Sequence, residues 1–149
     1  MPKVTTEAGT LQNVTIDGKI VGFKFGVRLP RYRGNMLSLI NGYYVRVDGE
    51  EFPQSAIKME VNGKPPRSFD EIKKAVWEHW DFQETAYLHI SKPGGLEPGM
   101  HEVLAVVSNF EQYGYNPMQD QKRVDEVVVP TAAGTGFGGP GIPVMLELK

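Results

Sequence analysis

Apolar and polar residues alternate along most of the chain. Between Ile20 and Arg28, the residues Val21, Phe23, Phe25 and Val27 share one face, while Gly22, Lys24, Gly26 and Arg28 share the other. Tyr43, Val45 and Val47 alternate with Tyr44 and Arg46, and Ile57, Met59 and Val61 with Lys58 and Glu60. Ala86, Leu88 and Ile90 alternate with Tyr87 and His89, and Val144, Leu146 and Leu148 with Met145 and Glu147. Side chains on a strand point alternately to its two faces, so this period of two predicts strands with one face on a core and one in water.

Turn chemistry separates these runs. Asp17-Gly18 and Asp48-Gly49 are two-residue hairpin signals, because a type I′ turn needs positive φ at both central residues. Asn62-Gly63, Pro93-Gly94-Gly95 and Pro98-Gly99 mark further reversals. Strands spaced in this way predict an all-β fold, a sandwich of roughly eight or nine short antiparallel strands. Val103-Leu104-Ala105-Val106-Val107 departs from the alternation and is apolar on both faces. Two readings fit it: a strand central in the sandwich, or one whose second face is covered by another chain.

One segment has a helical pattern. Ser68-Phe69-Asp70-Glu71 reads as a capping box, with Asp70 and Glu71 at the positive end of the helix dipole. Ile72, Ala75, Val76, His79 and Trp80 then recur at the spacing of one apolar stripe, with Trp77 to its side. The pattern predicts one short α-helix running to Trp80, placed to plug an open end or edge of the sheets.

Composition narrows the function classes. The 149 residues suit one domain over 1–149, ending in a glycine-rich segment at 134–141. A formal net charge of −2 argues against a nucleic-acid binder. No apolar run approaches the roughly 20 residues of a membrane span. Met1–Thr5 lacks the apolar stretch of a secretory signal, and the chain has no cysteine, so the expected place of work is the cytoplasm.

The chain carries no autonomous catalytic signature. Gly134-Thr135-Gly136-Phe137-Gly138-Gly139 matches the spacing of a dinucleotide fingerprint. Pro140 and Pro143 follow, however, and too little chain remains for the helix and second strand that the fingerprint requires. His79, His89 and His101 have no second ligand at zinc spacing, so no metal site is expected here. There is no G-x-S-x-G motif and no thiol nucleophile.

Arg28-Leu29-Pro30-Arg31-Tyr32-Arg33-Gly34 is the most distinctive segment. Arginine and tyrosine are favoured at interface hot spots, because their planar groups bury much area with little loss of rotamer freedom. A partner-contacting loop and a solvated turn with internal salt bridges both fit it. Arg28, Arg31, Tyr32, Arg33 and Trp77 are the candidates for partner or substrate contact.

Those residues carry a family resemblance. Leu29-Pro30-Arg31-Tyr32-Arg33-Gly34 and Val45-Arg46-Val47-Asp48-Gly49-Glu50 resemble the small β subunit of bacterial C-glycoside deglycosidases. Lys92-Pro93-Gly94-Gly95-Leu96-Glu97-Pro98-Gly99-Met100-His101 and the helix before it are similar to the same family, over about Phe25 to Val107. The resemblance implies a β-sandwich subunit paired with a larger TIM-barrel α subunit that holds a divalent metal, typically manganese. The pair would cleave the carbon–carbon bond between an aromatic aglycone and a 3-keto sugar, with base and metal ligands in the α subunit. It implies no catalytic residue and no cofactor in this chain. A carbohydrate-binding module is the alternative, with Tyr44, Trp77 or Tyr115 stacking on sugar faces.

Overall fold

Hairpin turns form where the dipeptides predict them. The computed structural model describes residues 6–28, 35–81, 84–109 and 143–149. Asp17 and Gly18 take φ of 52° and 78°, and Asp48 and Gly49 take 51° and 86°. The first turn joins β1 (Gln12–Ile16) to β2 (Lys19–Val27), and the second joins β4 (Ile40–Val47) to β5 (Glu50–Phe52).

Two four-stranded antiparallel sheets result. The first runs β1-β2-β8-β6, with β6 at Ile57–Glu60 and β8 at Ala86–Ser91. The second runs β10-β9-β4-β5, with β9 at Gly99–Asn109 and β10 at Val144–Leu148. A small third ladder pairs β3 (Asn35–Met36) with β7 (His79–Trp80). The described residues thus hold ten strands, slightly more than expected, because β3 and β7 are too short to leave an alternating signature.

The alternation becomes a sandwich. Phe23, Phe25, Leu88, Ile90, Ile57 and Met59 of the first sheet share one buried cluster with Tyr43, Val45, Val47, Val103 and Leu146 of the second. Phe23 meets Phe52 edge-on across the sheets, with ring centroids 5.7 Å apart. Burying each large side chain contributes about 1.5–3 kcal/mol, and the cluster is the main stabilising force. Val21 has no partner in β1, where the register shifts between Val14 and Thr15, and at this bulge it stays 38% exposed.

β9 lies between β10 and β4, so the central-strand reading of Val103–Val107 holds. Val103 and Val107 enter the core cluster. Leu104 and Val106 lie on the outer face, opposite Arg46 and Tyr44 of β4, and are still only 4% and 6% exposed.

The helix is much shorter than the sequence predicts. The capping box at Ser68 forms as expected, with its hydroxyl accepting from the Glu71 amide and the Glu71 carboxylate accepting from the Ser68 amide. α1 then spans only Phe69–Ile72, and the chain continues through turns held by bonds from Lys74 to Glu71 and from Ala75 to Ile72. His79 and Trp80, expected on the helix, form strand β7. Short helices are marginal without tertiary support, and here the competing partners lie elsewhere. Met36 and Asn35 pair with His79 and Trp80, and the Trp80 indole donates to the Glu84 carbonyl at 2.8 Å from a fully buried position. α1 does act as a plug. It packs against β4 and β6, one strand from each sheet, with Phe69 stacked 6.3 Å from Tyr43.

Candidate functional site

Of the candidate contact residues, Arg28 and Trp77 lie among the described residues. β2 ends at Val27, whose backbone bridges to Thr6 and pairs with Ala86. Arg28 follows immediately, exposed, with its guanidinium against the Glu7 carboxylate. The other Glu7 oxygen accepts from the Thr85 hydroxyl at 2.9 Å. The first foot of the loop is therefore tied to the segment that enters β8.

The second foot is tied to the same neighbourhood. Asn35 pairs with Trp80, Met36 with His79, and the Leu37 amide donates to the Glu78 carbonyl at 2.7 Å. Trp77 stands one residue further back and is 69% exposed. Arg28, residues 35–37, residues 77–81 and residues 84–85 thus form one rim, tied by the Trp80–Glu84 hydrogen bond. Arg31, Tyr32 and Arg33 lie outside the described residues, in the stretch between Arg28 and Asn35.

A charged cluster holds the rim in place, and nothing in the residue spacing announces it. Arg67 donates two hydrogen bonds to Glu78, at 2.9 and 2.7 Å. Lys64 and Asn62 add bonds of 2.8 and 2.9 Å to the same carboxylate. Asn62 also donates to the His79 carbonyl at 2.9 Å. The bonds from Arg67, then those from Lys64 and Asn62, outweigh burial and hold the Glu78 carboxyl down at about 2. The cluster fixes the turn that presents Trp77. Glu84, beside the rim, keeps one buried carboxylate oxygen without a hydrogen bond among the described residues.

The histidines are built into the frame. His101 has both ring nitrogens on acceptors, Nδ1 2.5 Å from Asp48 and Nε2 2.6 Å from the Glu97 carbonyl. Two acceptors require two N–H groups, so the ring is held as the imidazolium. Burial opposes that charge, but the Asp48 and Glu97 bonds outweigh it and raise the His101 pKa. His79 pairs with Asp81, and His89 with Glu60, each at 2.6 Å. Among the described residues, no three His, Asp or Glu side chains converge on a point that could hold a metal ion.

Known proteins match this chain over the strands that frame the rim. The sequence profile of the "C-glycoside deglycosidase beta subunit" matches residues 1–113. The chain belongs to the C-glycoside deglycosidase beta subunit family. A "C-glycoside deglycosidase beta subunit" from Eubacterium cellulosolvens is 36% identical over 87 residues. That alignment covers 58% of this chain and 58% of the relative, so the chain spans little more than half of the curated relative that it matches. The region matched to the family holds Arg28, Trp77, the Glu78 cluster and both feet of the loop. It stops before β10 and before the glycine-rich segment at 134–141, which lies outside the described residues.

Proposed function

We propose that the chain is the accessory subunit of a heteromeric C-glycoside deglycosidase and docks on its larger partner through Arg28, Trp77 and the Arg31-Tyr32-Arg33 segment that follows Arg28. Membership of the family is the observation that carries this reading. In the reaction, a keto group at C3 of the sugar acidifies the neighbouring C–H. A base removes that proton, and the electron pair expels the aromatic aglycone, whose carbon takes up a proton as the carbon–carbon bond breaks. This is a lyase-type cleavage. The base and a divalent metal, manganese by preference, belong to a TIM-barrel α subunit in this proposal. The described residues of this chain offer no converging ligand set for a metal ion. The complex works in the cytoplasm; no helix among the described residues is long and apolar enough to cross a membrane.

The test is co-purification of the tagged chain from its host, with light scattering and metal analysis of the product. A stoichiometric partner of barrel size that carries a divalent metal is the expected result. A lone monomer overturns the proposal. The exposed Trp77 is the observation that favours a second reading, a carbohydrate-binding module, since an exposed indole can stack on a sugar face. Calorimetry on the isolated chain separates the two: saturable binding of simple sugars belongs to the module, and its absence to the subunit.

A further inference from the structure

The outer face of the first sheet contains a cleft of about 440 Å³, lined by Val14, Ile16, Gly22, Lys58, Pro66 and His89 among others. That size lies within the roughly 300–1,000 Å³ of small-molecule sites. Gly22 makes the floor. It pairs with Val14 of β1 and Ser91 of β8, and the Ile90 carbonyl stands where its Cβ would lie, so the floor between them is backbone. Further along, the same face carries Lys24 over the Tyr87 ring at 5.0 Å.

Two polar groups complete the cleft. Lys58 and His89 stand directly opposite each other on β6 and β8. His89 Nε2 lies 2.6 Å from Glu60 Oε1. A carboxylate only accepts, so Nε2 carries a proton, and in the neutral ring Nδ1 is left as an acceptor. Among the described residues Nδ1 has no partner, and Lys58 makes no hydrogen bond or ion pair, acting on Glu71 only at longer range. An apolar slot with a flat floor, an uncommitted ammonium and an oriented acceptor is complementary to one kind of molecule.

We propose that this cleft binds a planar aromatic acid or phenol. Its ring covers the Gly22 backbone against Val14 and Ile16, its carboxylate or phenol oxygen meets Lys58, and a further hydroxyl, where present, donates to His89 Nδ1. The proposal does not depend on the subunit reading above, because the site lies within this chain.

The test is a titration of the ¹⁵N-labelled full chain with 2-naphthoate, followed by amide chemical shifts. Saturable shifts confined to Val14, Gly22, Lys58, His89 and Ser91 are expected. Lys58→Met should weaken 2-naphthoate binding about tenfold, the scale of one charge-assisted contact, while leaving binding of the neutral 2-naphthylmethanol unchanged. A dispersed, native-like spectrum of the variant verifies its fold, and His89→Gln supplies a second perturbation on the opposite strand. Absence of saturable shifts, shifts spread equally over Ile20, Trp77, Met100 and Met145, or equal affinity in Lys58→Met overturns the proposal. So does a partner protein that protects these amides and is not displaced by 2-naphthoate, an outcome that assigns the cleft to protein contact.

Discussion

At Gly22 a Cβ would stand 2.0 Å from the Ile90 carbonyl oxygen, so β2 and β8 approach at a distance that only glycine permits. At Gly18 nothing lies within 4 Å, and glycine serves there for its φ of +78°. The two positions therefore separate packing from backbone conformation. Gly22→Ala is expected to cost about 2–3 kcal/mol by overpacking, and Gly18→Ala about 1 kcal/mol by strain, read from urea midpoints at unchanged slope. His101 provides a pH-dependent counterpart. Its folded pKa is raised above 6.5, so its contribution is fully present below that value and is lost as pH rises through the folded pKa. At Asp48 burial opposes the charge, but bonds from His101 and the Glu102 amide outweigh it and lower the pKa below 3.8. That contribution is present above 3.8 and lost as pH falls through the folded value. His101→Gln should remove about 1 kcal/mol between these limits, a modest figure because Asp48 is half exposed, and should flatten the alkaline limb of a stability–pH curve.

Among the elements, α1 and β7 compete for the same sequence. The capping box starts a helix at Ser68, and the apolar spacing invites it to continue to Trp80. Glu78 decides otherwise, because its carboxylate is taken by Arg67, Lys64 and Asn62, and its carbonyl by Leu37. Continuing the helix would break these bonds and move Trp80 out of the core. Glu78→Gln is expected to destabilise the protein by about 2 kcal/mol at neutral pH, since it leaves the mostly buried Arg67 without its counter-charge. The folded pKa of about 2 against 4.5 places the Glu78 contribution above pH 4.5, with its loss as pH falls toward 2. The variant should therefore lack that part of the acid limb in thermal melts recorded from pH 6 down to 2.

For the molecule as a whole, the rim ties together segments distant in sequence: residues 6–7 beside Arg28, and residues 35–37 beside 77–80. Docking on a partner through this rim makes a prediction that separates assembly from folding. Trp77→Ala should leave the stability of the isolated chain within about 0.5 kcal/mol, because the side chain is exposed. It should weaken affinity for the partner tenfold or more, the scale of a hot-spot residue. Tyr32→Ala and Arg33→Ala should behave likewise. Calorimetric titration of the partner against each variant checks the affinity, and urea unfolding checks the fold. Unchanged affinity in all three removes the rim from the interface.

Much of the frame was legible in the sequence because its signals are local. Period-two alternation, three Asx-Gly turns and one capping box each act over a few residues, and each formed where the residues predicted it. The sandwich, its inner faces and the resemblance to the C-glycoside deglycosidase beta subunit family follow from them. The length of the helix was not legible, because it depends on Asn62, Lys64 and Arg67 meeting Glu78 from across a turn, and on Asn35 and Met36 reaching β7. Nor was the pairing of Arg28 with Glu7, the imidazolium of His101 or the cleft between Lys58 and His89. Each joins residues brought together by strand register and sheet closure. Local patterns determined which segments became strands and turns; long-range hydrogen bonds and charge pairing, strengthened by partial burial, decided where the helix stopped and which side chains met.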